Sequence, residues 1–428
     1  MGLSNLTSKQ KVYQMKHLPF LLSVQTLFLT SLAVQGADNW PNWRGPDPAA
    51  VVKSGTYPES ISDENIVWQI ELPGRGCSTP AVWGDQIFVT CAIDDSDGVV
   101  CYNFEGKEQW RHQFGLQSPG KHKMGSGSNP SPTTDGQHLI VYFKSGTLAC
   151  LDLSGNVLWE TNLQDSYGED TLWWDLGTSP VLVDNLVIVA VMNDGDGFLV
   201  ALNISNGEEV WKRSRVYEVP EECDNSYTTP ALTKDKSVIV TLGADHVTGH
   251  DVRTGELLWE CGGLNPAGEA AQRTIASPTI ADEVVIVPHR RGEVLAAIQL
   301  GGAGDITESS KLWEKPMNAG DVPTPLASDG KVIVLGDRGD LTCLDLQSGD
   351  ELWTAELPRG RGKYFSSPVL AGDLLYCLRE DGMLQIGRIA DGYQHLDEHD
   401  FAEQCVATPV PLRDHVLVRG SDHLFLIK

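Results

Sequence analysis

The sequence predicts an all-β fold, an eight-bladed β-propeller of four-stranded antiparallel blades. The stretch from Thr324 to Trp353 shows the repeating unit most plainly, with three short apolar or alternating segments and the start of a fourth. The pairs Asp329-Gly330 and Ser348-Gly349 provide turn residues between these segments. A four-stranded unit that recurs about every 40–50 residues is typical of a propeller blade.

The opening of the unit, a small polar residue followed by proline, sets the number of blades. The successive prolines are separated by 52, 48, 50, 48, 47, 43 and 41 residues. They lie at Pro80, Pro132, Pro180, Pro230, Pro278, Pro325, Pro368 and Pro409. These openings predict eight blades within a propeller domain that spans 66–428.

The end of the unit, Gly-x-x-x-Trp, predicts a structural tryptophan on the outer strand of seven of the eight blades. One copy, which ends at Trp313, is longer and lacks the glycine, and Leu396 takes the tryptophan position after Gly392. The predicted structural tryptophans are Trp68, Trp110, Trp159, Trp211, Trp259, Trp313 and Trp353.

The last repeat predicts how the ring closes. After Pro409 the chain has candidate strands only near 415–419 and 424–427, and it lacks a closing strand with tryptophan. Near the other end, 66–72 is a single candidate strand that carries Trp68 and follows no complete blade. We therefore expect this N-terminal strand to complete the eighth blade, which would remove two exposed sheet edges.

The N-terminal 36 residues have the features of a secretory signal peptide. Three lysines precede a mostly apolar stretch, and small residues near Gly36 offer a cleavage site. An uncleaved membrane anchor is the alternative. No cysteine precedes Cys77, which argues against a lipid anchor at the cleavage site. The prediction is an exported protein, periplasmic or extracellular, with no membrane span after cleavage.

Residues 37–65 form a predicted clasp segment ahead of the ring. Its sequence Trp-Pro-Asn-Trp-Arg-Gly-Pro, 40–46, is too apolar for a free tail. We expect it to pack on the outside of the ring, and contact with a partner is the alternative.

Charge and cysteine content disfavour certain partners and cysteine-based metal sites. Removal of three lysines and no acidic residue takes the net charge from −26 to −29, which disfavours nucleic acid and anionic membranes as partners. The nine cysteines show no metal-binding spacing, and Cys101, Cys150 and Cys343 share one strand position typical of buried thiols. A disulfide between Cys77 and Cys405 is geometrically possible. We expect a monomer.

The predicted ligand site is the face where the loops before the eight prolines surround the channel mouth. These loops vary, whereas the turns on the opposite face are mostly Ser-Gly or Thr-Gly, so binding residues are expected at the mouth. The mouth residues are Arg75, Asn129, Trp173, Trp174, Asp175, Asn225, Tyr227, Arg273, Asp321, Arg361, Tyr364 and Gln404. Such side chains suit a flat anionic ligand or an acidic and apolar peptide; alternatively, many of them bind neighbouring loops. No metal site is predicted, since the acidic turns 94–98 and 193–197 lack the EF-hand spacing.

The repeat resembles the pyrroloquinoline quinone (PQQ) repeat. The segments DVRTGELLW (251–259) and DLQSGDELW (345–353) carry this resemblance, which covers nearly the whole mature chain. That repeat builds the quinoprotein alcohol dehydrogenases and the BamB proteins. The segments 40–46, 73–85 and 301–314 are more similar to exported bacterial PQQ-like propellers of unassigned activity.

The resemblance implies two functions, and the residues favour the first. One is a binding or scaffold propeller that holds a protein or a small ligand at the mouth. The alternative is a PQQ- and calcium-dependent alcohol or sugar dehydrogenase, with Trp173 or Trp174 beneath the quinone and Asp175, Asn225 and Asp321 on Ca²⁺. This sequence has no adjacent cysteine pair, which forms one wall of the quinone site in those enzymes. A hydrolase or lyase that uses mouth carboxylates has no motif behind it, and no catalytic residue is assigned.

Overall fold

A computed structural model describes residues 1–2, 38–46, 49–193 and 196–428. The predicted signal peptide, apart from residues 1–2, lies outside these ranges. Residues Gln35–Lys428 form one compact unit, which contains every element described here. None of the helices in the described ranges is long and apolar enough to cross a membrane.

The described part of the chain is almost entirely β-strand. One short helix, α1, covers Leu163–Tyr167, and a single 3-10 turn covers Asp63–Asn65. The strands of the first half are β1 (Val51–Val52), β2 (Ile66–Glu71), β3 (Ala81–Trp83), β4 (Gln86–Ile93), β5 (Ser96–Asn103), β6 (Glu108–Leu116), β7 (Thr133–Thr134), β8 (His138–Tyr142), β9 (Thr147–Asp152), β10 (Val157–Asn162), β11 (Val181–Val183), β12 (Leu186–Val191), β13 (Phe198–Asn203), β14 (Glu209–Ser214), β15 (Ala231–Leu232), β16 (Val238–Gly243), β17 (His246–Asp251) and β18 (Leu257–Cys261). Those of the second half are β19 (Thr279–Ala281), β20 (Val284–His289), β21 (Val294–Gln299), β22 (Gly304–Asp305), β23 (Lys311–Pro316), β24 (Leu326–Ser328), β25 (Lys331–Leu335), β26 (Asp340–Asp345), β27 (Glu351–Glu356), β28 (Val369–Ala371), β29 (Leu374–Leu378), β30 (Met383–Ile389), β31 (Tyr393–Asp400), β32 (Val410–Leu412), β33 (His415–Arg419) and β34 (His423–Ile427).

These strands form eight antiparallel four-stranded blades, so the predicted propeller is confirmed. Blades 1 to 4 follow chain order from β3 to β18. Blade 5 contains β19, β20, β21 and β23, and blades 6 and 7 run from β24 to β31. Blade 8 contains β32, β33, β34 and the N-terminal strand β2, in which Trp68 faces Leu426. The predicted closure by the N-terminal strand is therefore also confirmed.

The burial pattern explains why each blade forms. The second and third strands are continuous apolar runs, such as β12 (Leu-Val-Ile-Val-Ala-Val), and lie between neighbouring blades with both faces covered. The outer strands alternate instead, and β2 buries every second side chain to an intermediate degree. The core is therefore a series of apolar layers between adjacent blades.

The Gly-x-x-x-Trp motif connects neighbouring blades. In five blades the indole Nε1–H donates to a carbonyl of the following blade, at distances of 2.6–3.0 Å. These donors are Trp68, Trp110, Trp159, Trp211 and Trp313. Each indole also covers the turn glycine of that following blade, and a Cβ atom on Gly255 would lie 2.5 Å from Trp211. The glycine and tryptophan of the motif therefore act in different interfaces.

Two tryptophans, Trp259 and Trp353, depart from this arrangement. The blade after Trp259 has serine rather than glycine four residues before its own Trp313, because residues 300–310 form a longer connection that includes β22. Trp259 instead packs on its own blade, where a Cβ on Gly249 would lie 2.2 Å from its ring. The Nε1 of Trp353 is buried without a partner among the described residues, and no atom lies within 4 Å of a Cβ on Gly392.

A buried arginine reinforces the seam between blades 8 and 1. Arg419 ends β33 and donates from Nη1 to the carbonyl of Ser78 at 2.8 Å and from Nη2 to that of Thr90 at 2.7 Å. The backbone at Gly76 approaches so closely that a Cβ there would lie 2.2 Å from Nη2 of Arg419. The seam is thus held by backbone pairing in blade 8 and by one guanidinium between the blades.

The small polar residue before each proline forms a ring of hydrogen bonds, here called the hydroxyl belt. Its members are Thr79, Ser131, Ser179, Thr229, Ser277, Thr324, Ser367 and Thr408. At seven positions a belt hydroxyl oxygen accepts a belt N–H from the neighbouring blade, at 2.9–3.1 Å. The repeated Ser/Thr-Pro opening is therefore a device that links the blades around the channel.

The segment before the ring lies inside the channel, so the prediction that it packs on the outside is wrong. Trp40 bridges to Val82 on the edge of β3 that faces away from β4, and β1 pairs parallel with β28 on the edge away from β29. Those free edges of the innermost strands face the channel. We call residues 38–46 and 49–52 the channel segment. The apolar sequence of this segment indicates that it packs against the ring. It does not indicate whether it packs on the outer surface or inside the channel.

All nine cysteines are free thiols, including Cys77 and Cys405, so the disulfide considered from the sequence is not formed. Cys101, Cys150 and Cys343 lie on the third strands of their blades and are buried, as predicted. Burial raises the pKa of the Cys343 thiol to about 11, which keeps it protonated at neutral pH.

Candidate functional site

A cavity of about 430 Å³ opens at the mouth of the channel. The hydroxyl belt lines the deep part of this cavity, here called its base, and Trp43 of the channel segment also contributes to the lining. Because the channel segment pairs with the innermost strands of blades 1 and 7, we take Trp43 as the floor of the cavity. The apolar part of the wall includes Trp174 and Phe365, and the charged part includes Arg273 and Asp321. We call this space the mouth cavity.

Half of the predicted mouth residues line this cavity. They are Asn129, Trp174, Asp175, Tyr227, Arg273 and Asp321. The others do not line it. Arg75 donates to Gln404 at 3.1 Å across the seam between blades 1 and 8, while Asn225 and Tyr364 are buried within the loops. Trp173 is exposed beside the cavity.

Asp175 holds a loop rather than presenting a free carboxylate. Its Oδ1 accepts from Nζ of Lys144 at 2.5 Å and from the N–H of Lys121 at 2.6 Å. Its Oδ2 accepts from the N–H of His122 at 2.8 Å. This carboxylate thereby fixes the connection that carries His122 and Met124 into the cavity wall.

The tryptophan pair is held through its backbone. Asn225 Oδ1 accepts the N–H of Trp173 at 3.0 Å, and the hydroxyl oxygen of Tyr227 accepts the N–H of Trp174 at 3.1 Å. Trp173 remains 46% exposed and Trp174 42% exposed. Two large aromatic side chains therefore face outward from a fixed backbone.

The charged wall contains long ion pairs. Arg273, whose side chain is 12% exposed, lies 3.4 Å from Glu222 and 3.6 Å from Asp321. Arg291 lies 3.7 Å from the same Asp321, and Lys363 lies 3.4 Å from Asp337. Burial raises the pKa of Asp321, and the two arginines partly oppose this shift. The guanidinium carbon of Arg273 lies 5.9 Å from the Trp174 ring centre, within cation–π range.

Several cavity residues were not identified from the sequence. Trp43 was missed because the clasp was expected outside the ring, and His122 lies upstream of the short loop before Pro132. The loop before Pro368 predicts Tyr364 at the mouth, but the structure buries Tyr364 and places its neighbour Phe365 in the cavity wall. Arg291 and Lys363 carried no signal beyond their charge.

The acidic turn 94–98 serves the fold. Asp94 and Asp95 adopt positive φ angles of 48° and 63° at its exposed tip, as tight hairpins require. Asp97 is buried, and its Oδ2 accepts from the hydroxyl of Ser145 in the next blade. The second acidic turn, 193–197, lies partly outside the described residues.

Asp97 predicts a pH-dependent stability. Burial raises the pKa of its carboxyl to about 7, so the native state binds more protons than the unfolded chain from about pH 4 to 7 and stability falls over that range. We expect Asp97→Asn to remove this fall and to stabilise the protein by about 2–4 kcal/mol at pH 8. Urea unfolding of both proteins from pH 5 to 8 measures the difference. Asp95→Asn, at the exposed tip, is the control, and parallel pH profiles of wild type and Asp97→Asn would contradict the assignment.

The residues present do not fit the calcium and quinone site that the dehydrogenase alternative requires. Asp175 is enclosed by Lys144 and two N–H groups, Asn225 accepts from Trp173, and Asp321 faces two arginines. No cluster of three or more His, Cys, Asp or Glu side chains suited to a metal exists within the described ranges. Trp173 and Trp174 are exposed at the rim rather than beneath a closed slot.

Comparison with known proteins agrees with the architecture. The family model described as outer membrane protein assembly factor BamB matches residues 55–221, 174–304 and 302–400. The chain belongs to this family. BamB of Burkholderia pseudomallei is 22% identical over 309 residues, covering 70% of this chain and 71% of that protein.

Solved structures of BamB and of quinoprotein enzymes share the fold. BamB from Moraxella catarrhalis matches with a TM-score of 0.62 and 17% identity, over 84% of this chain and 96% of that one. The quinohemoprotein alcohol dehydrogenase from Comamonas testosteroni matches with a TM-score of 0.69 and 13% identity, over 91% and 80% respectively. At such identities these likenesses show the propeller fold alone. The predicted PQQ-like and BamB-like resemblance is confirmed.

Proposed function

We propose that this BamB-family chain is an exported protein-binding propeller that holds its partner at the channel mouth. The observation that carries the proposal is the exposed pair Trp173 and Trp174 beside Arg273, at the rim of a concave cavity. Tryptophan and arginine are the residues that most often dominate the energy of protein interfaces. An exposed aromatic pair on a fixed backbone is costly to leave in water without such a role.

The mouth is preorganised for binding. Asp175, Asn225 and Tyr227 fix the loop backbones through hydrogen bonds of 2.5–3.1 Å, so little conformational entropy has to be lost when a partner docks. The face opposite the mouth offers mainly short hairpin turns such as the one at Asn206-Gly207. The binding face is therefore the mouth.

The family supports the same conclusion about partner and location. The curated relatives are named outer membrane protein assembly factors, and a role in assembling proteins would require a surface that binds them. For this chain we propose the periplasm as the compartment, a signal peptide at 1–36 as the means of export, and a monomer as the working form. The net charge of −26, which becomes −29 after loss of the three lysines in 1–36, favours solubility there and disfavours nucleic acid.

Photo-cross-linking in the producing cell tests the proposed binding face. A photo-reactive amino acid at Val216, exposed after β14 on the mouth side, is expected to give one discrete adduct that mass spectrometry identifies as protein. The same probe at Asn206 on the opposite face serves as the control and should give none. Trp174→Ala is expected to reduce the Val216 adduct at least about tenfold, as loss of an interface hot spot does. Equal adducts from both faces, or an adduct unaffected by Trp174→Ala, would contradict the proposal.

A further inference from the structure

We propose that the mouth cavity receives a short segment of the partner's chain, in which an aromatic or aliphatic side chain lies next to a carboxylate. This inference rests on the proposed protein-binding function and names the chemistry of the bound segment. Its support comes from the apolar floor and wall, from the long ion pairs, and from the hydroxyl belt.

The floor and one side of the cavity are apolar. Trp43 forms the floor, and Trp174 and Phe365 stand in the wall. The His122 ring lies between these two wall residues, with ring centres 5.8 Å from Trp174 and 6.5 Å from Phe365. A volume of about 430 Å³ falls within the range of sites that enclose small ligands, about 300–1,000 Å³. A large apolar side chain with its neighbouring backbone fits this space.

The cations in the wall retain capacity for another carboxylate. Arg273, Arg291 and Lys363 contact acidic residues only at 3.4–3.7 Å, whereas charge-assisted N–H···O bonds are normally about 2.7–2.9 Å. Two arginines share the single carboxylate of Asp321. A carboxylate on the ligand would therefore complete interactions that the protein leaves weak, and guanidinium groups bind carboxylates in a two-pronged geometry.

The base of the cavity is rich in donors. The belt hydroxyls at seven positions accept a backbone N–H. No belt hydroxyl donates to an acceptor within the described residues. Accepting a hydrogen bond strengthens a hydroxyl group as a donor. The base therefore favours ligand oxygen atoms over ligand amines.

A cationic segment fits less well. Asp321 and Asp337 already face arginine or lysine, and the side chain of Asp175 is 5% exposed against Lys144. A basic ligand would approach Arg273, Arg291 and Lys363, whose positive charges oppose its own. The charge pattern thus selects an acidic segment even though the whole chain is acidic.

Fluorine NMR on the mature protein labelled with 5-fluorotryptophan tests this inference. The probes are the peptides acetyl-Gly-Phe-Asp-Gly-amide and acetyl-Gly-Phe-Asn-Gly-amide, and Trp43→Phe and Trp174→Phe assign the two cavity resonances. We expect the Asp peptide to shift both resonances saturably and to bind at least about tenfold more tightly than the Asn peptide, because a charged hydrogen bond is lost in the latter. The Trp211 resonance, from between blades, should not move. Arg273→Gln, or Lys363→Gln if the first variant is unstable, should reduce the preference to about twofold or less.

Three results would overturn the inference. They are no shift of the Trp43 resonance with either peptide, equal binding of both peptides, and binding of free 3-phenylpropionate as tight as that of the Asp peptide, which would make the cavity a site for small acids. The Val216 adduct separates this failure from failure of the proposed function. If the adduct persists while the peptides do not bind, the mouth binds protein without using the cavity in this way.

Discussion

Replacing Trp211 by alanine is expected to lower the free energy of unfolding by about 3–5 kcal/mol. The indole is only 4% exposed, its Nε1–H donates to the Val252 carbonyl at 3.0 Å, and its ring covers Gly255 of the following blade. The alanine variant would lose this packing and leave a buried carbonyl without its donor. Urea unfolding followed by far-ultraviolet circular dichroism measures the change.

The neighbour of Trp211 provides a matched control. Val210 lies on the same strand, β14, and is 47% exposed, so Val210→Ala should change stability by about 0.5 kcal/mol or less. Trp211→Phe should fall between the two, because the ring contact with Gly255 is partly kept and the hydrogen bond is lost. Equal effects of the two alanine variants would show that the tryptophan does not hold neighbouring blades together.

Trp40→Ala is expected to destabilise the protein by a similar amount, about 3–5 kcal/mol. Trp40 is fully buried in the channel, and its backbone exchanges two hydrogen bonds with Val82 at 2.7 and 2.8 Å. Gly45, with φ of 81°, folds so closely over the indole that a Cβ there would lie 2.7 Å away. Loss of this side chain would leave a large void within the ring, which thermal unfolding monitored by calorimetry should register as a lower Tm.

Two variants make the Trp40 result specific. Trp40→Phe should cost much less, since Nε1 of Trp40 has no partner among the described residues. Trp173→Ala removes the same kind of side chain from an exposed position, 46% accessible, and should change stability by about 0.5 kcal/mol or less. A Trp40→Ala protein as stable as wild type would mean that the channel segment is not integral to the ring.

The architecture could be predicted from the sequence because the turn residues of one blade recur in the next. The Ser/Thr-Pro openings counted the blades, and the single strand with Trp68 indicated how the last blade is completed. The repeat did not show what contacts its recurring Ser/Thr, Gly and Trp residues make. The belt hydrogen bonds and the contacts of five tryptophans with the next blade's glycine mostly join residues about 40–50 positions apart, which only the closed ring brings together.

The sequence predicted which face of the ring carries the cavity, but only half of the predicted residues line it. Strand order placed Trp174 and Arg273 correctly at the mouth, yet it could not show that Asp175 is already enclosed by Lys144. The choice between Tyr364 and Phe365 depends on which of two adjacent side chains turns inward, and the sequence gives no periodic signal in a loop. Trp43 reached the cavity through a path across the channel that local apolarity could not specify.

The pairing of β2 with β34 also determines when the ring can close during synthesis. Trp68 pairs with Leu426, so β2 is synthesised long before its partner strand. At about 5–20 residues per second, the first strand waits on the order of half a minute for the second. Until then β2 lacks its hydrogen-bonding partner in blade 8, and unpaired strand edges favour aggregation. Closure of the ring therefore needs both β2 and β34, which makes it a late step in folding.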